Sequence, residues 1–145
     1  MNKWEKYIKA VTSETNRTDY LYDEWNKLHG INRYVSIIVY MLAYSDVSTQ
    51  RELSLCYNMP KQTVNNVINQ LKDEGCITLV QDENDRRSKH IVLTDEGKEY
   101  ADKIVKPLIE FEKSVLKEMG EERVKIMIDT LKEYADLFEK KMKNL

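Results

Sequence analysis

The sequence predicts a mostly α fold carrying one small β-hairpin. Three observations lead there. Only four glycines and two prolines interrupt 145 residues, 33% of them charged and 41% hydrophobic, so few chain-breakers oppose helix formation. Apolar residues recur three and four apart over most of the chain. Two short strand-like runs, 77–80 and 90–93, flank the wholly polar stretch 81–89, the pattern of a hairpin with a charged tip.

From the N-terminus, residues 4–28 read as a helix. Trp4, Ile8 and Val11 begin an apolar stripe that Leu21, Trp25 and Leu28 continue, with a polar patch at 12–18 that could interrupt it, and Gly30 ends the segment. Asn32 is placed to cap a second helix over 33–44. That helix is apolar on two sides, Val35, Ile38, Val39 and Leu42 on one and Ile37, Tyr40, Met41 and Tyr44 on the other, as expected between two layers. Thr49 with Glu52 three residues on forms a capping box for a short third helix, with Leu53 and Cys56 expected to face inward.

Residues 57–60 break that helix. Asn58 tolerates the left-handed backbone of a tight turn, and Pro60 suits the first turn of a new helix over 60–74. Val64, Val67, Ile68 and Leu71 form its buried stripe, and Gly75 closes it. After the hairpin, Thr94 caps a further helix, with Asp95 and Glu96 favourable in its first turn. Pro107 lies inside this helix, and Gly120 divides 95–119 from a last helix over 121–144.

The length fits a single domain, 1–145, able to bury a core without staples. No run is apolar and long enough to span a membrane, and the first residues lack a signal-peptide pattern, so the expected compartment is the cytoplasm. Cys56 and Cys76, with only His29 and His90 beside them, make neither a disulfide framework nor a metal site. Both cysteines fall in buried-looking positions, so no reactive thiol is expected. The chain has no phosphate-binding glycine loop, nucleophile elbow or zinc-helix motif, so neither catalytic residues nor a cofactor are expected.

Net charge is −2, and residues 49–94 hold six acids and six bases. Any contact with nucleic acid must therefore come from local placement and not from bulk charge. The order helix, short helix, turn, helix and hairpin over 33–94 is the layout of a winged helix-turn-helix. The outer face of helix 60–74 is rich in amides and hydroxyls where solvated faces usually carry Lys and Glu. Lys61, Gln62, Thr63, Asn65 and Asn66 lie in the half that would project deepest into a major groove. Amides can bond adenine edges in bidentate fashion, and Thr can meet either a polar edge or the thymine methyl. In the hairpin tip, Asp85, Arg86, Arg87, Ser88 and Lys89 could reach a minor groove, with Asp85 steering an arginine by a charge-assisted bond. A polar solvated face and a solvated turn are the alternatives at these two places.

Taken together, these residues resemble a known family. The stretch 85–97, with Asp85, Arg87 and the run Leu93-Thr94 to Gly97, is similar to the wing signature of the MarR family, Asp-x-Arg followed by Leu-Thr-x-x-Gly. Residues 63–75 resemble its recognition helix, with the Leu71-x-x-x-Gly75 that ends it. The likeness extends over nearly the whole chain. It implies a two-fold homodimer that binds double-stranded DNA at a pseudo-palindromic operator, most simply as a repressor. Helical dimerisation regions would be 1–32 and 95–145, and Arg87 would be the wing arginine with Asp85 as its partner. Pro60-Lys61 departs from the Ser or Asp usual at the start of the recognition helix, and Cys76 from the usual aliphatic residue. The dimer has an independent argument, because the terminal helices carry more apolar surface than a small core can cover.

Members of the family often respond to small aromatic effectors. Trp25, His29, Tyr40 and Tyr44 are the candidate lining of such a pocket, with simple core packing as the other reading. A winged-helix module that binds other proteins is the competing functional class, and near-neutral charge would suit it.

Overall fold

The computed structural model describes residues 1–83, 85 and 87–145. Its elements run α1 (Lys3–Leu28), α2 (Arg33–Tyr44), α3 (Gln50–Cys56), α4 (Lys61–Asp73), β1 (Ile77–Gln81), β2 (Lys89–Leu93), α5 (Asp95–Met119) and α6 (Glu121–Met142). The chain forms two compact units, Met1–Val105 and Lys106–Leu145.

In the first unit the core is built from α2, α3, α4, the hairpin and the first turns of α5. Ile38, Val39, Leu53, Val64, Ile68 and Leu71 are all essentially inaccessible. The stripe Val64, Val67, Ile68 and Leu71 is the buried face of α4, as its spacing predicts. Asn32 accepts from the backbone N–H groups of Tyr34 and Val35 and starts α2. The expected second buried side of α2 is only partly inside. Met41 is buried and Ile37 half-buried, whereas Tyr40 and Tyr44 are exposed and stack on one another at 5.8 Å.

The Thr49 capping box forms as its spacing predicts. Thr49 Oγ1 accepts from Glu52 N at 3.2 Å, and Glu52 Oε2 accepts from Thr49 N at 2.9 Å. Thr49→Ala is therefore expected to lower the stability of the fold by about 1 kcal/mol in urea denaturation, the ordinary value of an N-cap. Asn58 takes the positive φ of 46° that the turn between α3 and α4 requires. Cys56, expected inside, is exposed. The reason is that α3 ends there and the turn folds back, with Met59 N donating to Ser54 O and Ser54 Oγ donating to Met59 O. The buried Met59 side chain supplies the apolar contact instead.

The hairpin is antiparallel, pairing Ile77 with Leu93, Leu79 with Ile91 and Gln81 with Lys89. The Thr94 hydroxyl donates to Gly75 O at 2.7 Å and accepts from Gly97 N at 3.0 Å, so one side chain joins the end of α4 to the start of α5. The polar patch in α1 does not interrupt it. Thr15 and Thr18 turn their hydroxyls back onto the carbonyls of Val11 and Glu14, which leaves the helix continuous. Among its residues only Asn26 is buried; Trp4, Ile8, Val11 and Leu21 are exposed.

In the second unit α5 continues through Pro107 to Met119, and Gly120, at φ 88°, starts α6. No residue of α6 is buried, and Leu131, Tyr134 and Phe138 all stand more than half exposed. Among the described residues no helix is long and apolar enough to cross a membrane.

Candidate nucleic-acid interface

Helix α4 presents its polar side outward because its apolar side is held by the core. Gln62 and Asn66 lie fully on that exposed side, with Lys61 exposed at the first turn. Thr63 and Asn65 stand half-buried on the two flanks. Gln62 Nε2 donates to Asn66 Oδ1 at 2.8 Å, so the two most outward amides are linked across one helical turn. Asn69 extends this exposed line and Gln70 borders it, the latter donating to Glu74 Oε1. Pro60 occupies the N-cap position and supplies no side-chain cap, so the first N–H groups of α4 receive no side-chain oxygen there.

The wing is shaped by its own carboxylates. Asp82 Oδ1 accepts from Asp85 N, and Asp85 Oδ1 accepts from Arg87 N, both at 2.9 Å. Ser88 N donates to Asp85 O and closes the turn. Asp85 thus holds Arg87 by its backbone, fixing the direction of the chain at the arginine. Arg87 and Lys89 are exposed and Ser88 is half-buried. The expectation for Arg86 lies outside the described residues.

A hydrogen-bonded chain that periodicity does not reveal ties the wing to the start of α3. His90 Nε2 meets Asp82 Oδ2 at 2.7 Å, and His90 Nδ1 meets Ser48 Oγ at 2.8 Å. Ser48 N in turn donates to Glu52 Oε2 at 3.0 Å, and Ile91 N donates to Ser48 O. The backbone N–H of Ser48, then the Thr49 hydroxyl and N–H, hold the Glu52 carboxyl below its usual range. Between α3 and the wing lies a cavity of about 700 Å³ lined by Gln50, Arg51, Glu52, Leu55, Arg87, Lys89 and His90, among others. Arg51 and Gln50 escaped sequence reasoning. An exposed arginine on a short helix carries no signal until the fold brings the wing beside it.

The four aromatic candidates form two pairs. Trp25 stacks on His29 with ring centres 4.1 Å apart, and Tyr40 on Tyr44. Trp25 is half-buried and His29 exposed. Tyr44 also donates to Asp102 Oδ1 at 3.3 Å and lines a cavity of about 630 Å³ with Leu42, Ile91 and Ala101. Burial raises the pKa of the Cys76 thiol, which keeps it protonated and inert. Among the described residues no group of three His, Cys, Asp or Glu side chains could hold a metal ion.

Residues 29–88 match the family model of the MarR family. No curated protein matches the sequence. Among solved structures, NMB1585, a MarR family regulator from Neisseria meningitidis, is 28% identical over 99% of both chains, with a TM-score of 0.82. The S. aureus MepR–DNA complex is similar in fold, at 19% identity over 94% of this chain and 98% of that one, with a TM-score of 0.64. NadR in complex with 4-hydroxyphenylacetate shares the fold at 17% identity over 87% of this chain and 89% of that one, with a TM-score of 0.72.

Proposed function

We propose that the protein is a homodimeric, sequence-specific double-stranded DNA-binding repressor; residues 29–88 match the model of the MarR family, and the whole chain shares the fold of a MarR family regulator. It acts on a pseudo-palindromic operator and performs no chemistry of its own. The observation that carries this reading is α4, whose apolar stripe is committed to the core while an amide ridge stands in solvent. A helix so held fits a major groove, and its exposed amides match adenine edges. The exposed Arg87, with its backbone fixed by Asp85, suits a narrow minor groove alongside.

The dimer reading is supported by the apolar faces that each unit leaves in water, Trp4, Ile8 and Val11 on α1 and Leu131, Tyr134 and Phe138 on α6. A dimer also sets two recognition helices about one DNA turn apart. A small aromatic effector is supported by the two aromatic stacks near the end of α1 and along α2. Asn26 Oδ1, in the same turn of α1 as Trp25, is buried with no hydrogen-bond partner among the described residues, and a phenolic hydroxyl could satisfy that acceptor.

The test is retention of genomic fragments followed by mobility shifts on the fragment bound most tightly. Arg87→Ala is expected to weaken binding to every sequence alike, because it removes an anchor to groove and phosphate. Asn65→Ala is expected to cost about 1–3 kcal/mol on the retained fragment and little on an unrelated duplex. Equal losses from Asn65→Ala on all sequences would deny α4 its base-reading role. Absence of duplex binding even at low salt would favour the protein-interaction module.

A further inference from the structure

The wing tip is braced within itself. Gln81 Nε2 and Asp82 N both donate to Ser88 O, at 3.0 and 3.1 Å. Asp85 N donates to Asp82 Oδ1, and Arg87 N to Asp85 Oδ1. A tip so braced moves as one piece, so Arg87 is placed by the way this piece stands on the body of the fold. There the hairpin is tied to the segment before α3 at two adjacent residues. Ile91 N donates to Ser48 O at 2.6 Å, and His90 Nδ1 meets Ser48 Oγ at 2.8 Å. The other ring nitrogen of His90 meets Asp82 Oδ2 at 2.7 Å, at the root of the tip.

The direction of these bonds follows from their chemistry. An ionised carboxylate only accepts, so Nε2 carries a proton and donates to Asp82. In the neutral ring Nδ1 then accepts from the Ser48 hydroxyl. Ser48 N is spent on Glu52 Oε2, the carboxylate of the α3 capping box. The links form one series, from Glu52 through Ser48, His90, Asp82 and Asp85 to Arg87. It begins in the first turn of α3 and ends on the backbone of the wing arginine. Its middle member is a half-buried flat ring whose two nitrogens keep a fixed separation.

Resting on the DNA reading above, we propose that His90 is a positioning residue for DNA binding, its ring setting the stance of the wing on α3 so that Arg87 meets the duplex already oriented. A tip held in place in the free protein has little ordering left to lose on binding. For one braced tip that saving amounts to about tenfold in affinity. The role is separate from any contact of His90 with DNA, since both ring nitrogens are occupied within the protein.

The experiment is a double-mutant cycle read by fluorescence anisotropy, on a labelled random-sequence duplex and on the best retained genomic fragment. His90→Phe keeps a flat ring and removes both nitrogens. It is expected to weaken both duplexes by the same factor, about tenfold, as a residue acting through Arg87 must. In the Arg87→Ala background the same substitution is expected to change affinity by less than about twofold, because no arginine remains to be placed. A merely structural loss would lower affinity equally in both backgrounds. His90→Gln carries its amide to where Nε2 stands, and His90→Asn to where Nδ1 stands, so each keeps one link. Both are expected to fall between the parent and His90→Phe. Thermal melts set the assay temperature below the unfolding of every variant, and the cycle with His90→Gln carries the test if His90→Phe does not fold. An equal loss in both backgrounds, or parent affinity in either His90→Gln or His90→Asn, overturns the positioning role and leaves the regulator reading intact. A parent protein that binds neither duplex at low salt overturns the regulator reading and this role with it.

Discussion

Gly97→Ala is expected to destabilise the protein by about 3 kcal/mol in urea denaturation, at the upper end for an overpacked site. A methyl group at this position would stand 1.8 Å from the carbonyl oxygen of Cys76 and 2.8 Å from its carbon. Both are backbone atoms, so no rotamer change relieves the contact. The same carbonyl accepts from Thr94 N at 3.0 Å, and Thr94 also bonds Gly75 and Gly97. Relief therefore requires the first turn of α5 to move away from the junction of α4 and β1, opening that set of bonds. DNA affinity should fall with stability, since β1 leads directly into the wing. Gly75→Ala provides the contrast. There a new methyl meets nothing within 4 Å, and only the positive φ of 74° opposes it, for about 1 kcal/mol. Comparable losses from the two substitutions would show that the close approach at Cys76 is not what demands a glycine.

Leu131→Glu combined with Phe138→Glu is expected to convert the proposed homodimer into monomers that sediment at half the parent mass. The two residues are seven apart on α6, more than half exposed in the single chain, with Tyr134 stacked beside Phe138. In a lone chain, replacing exposed apolar groups by carboxylates costs almost nothing. Across a two-fold interface it would bury four charges without partners. Loss of the second recognition helix should then reduce affinity for a two-half-site operator by about 10²–10⁴-fold, while binding to an isolated half-site persists. A variant that sediments with a dimeric parent would exclude α6 from the proposed dimer contact, and a monomeric parent would overturn the dimer itself.

Most of the fold was legible because its signals are local. The α4 stripe, the Asn32 and Thr49 caps and the left-handed Asn58 each depend on residues within one or two turns, and each stands where its spacing put it. Helix α3 shows where local reasoning fails. Cys56 shares a helical face with Leu53, yet the chain turns before that face can enclose it, and the decisive neighbour is Met59 beyond the turn. The site divides in the same way. The amide ridge follows from the periodicity of α4. The chain joining Ser48 to His90 spans 42 positions, and no spacing rule reaches that far. Arg51 comes to face the wing only through that tertiary approach.

The bond between Gln62 and Asn66 has a consequence for discrimination. One donor of Gln62 and the oxygen of Asn66 are already paired. A duplex that offers adenine at the facing step must replace one hydrogen bond by better ones, so the net advantage there is a difference and belongs near the low end of about 1–3 kcal/mol. A duplex without a suitable edge leaves the pair closed and loses little. On the proposed DNA-binding reading the arrangement would mute the ridge towards random sequence, and severing the pair, as in Asn66→Ala, is expected to free Gln62 to adhere more indiscriminately.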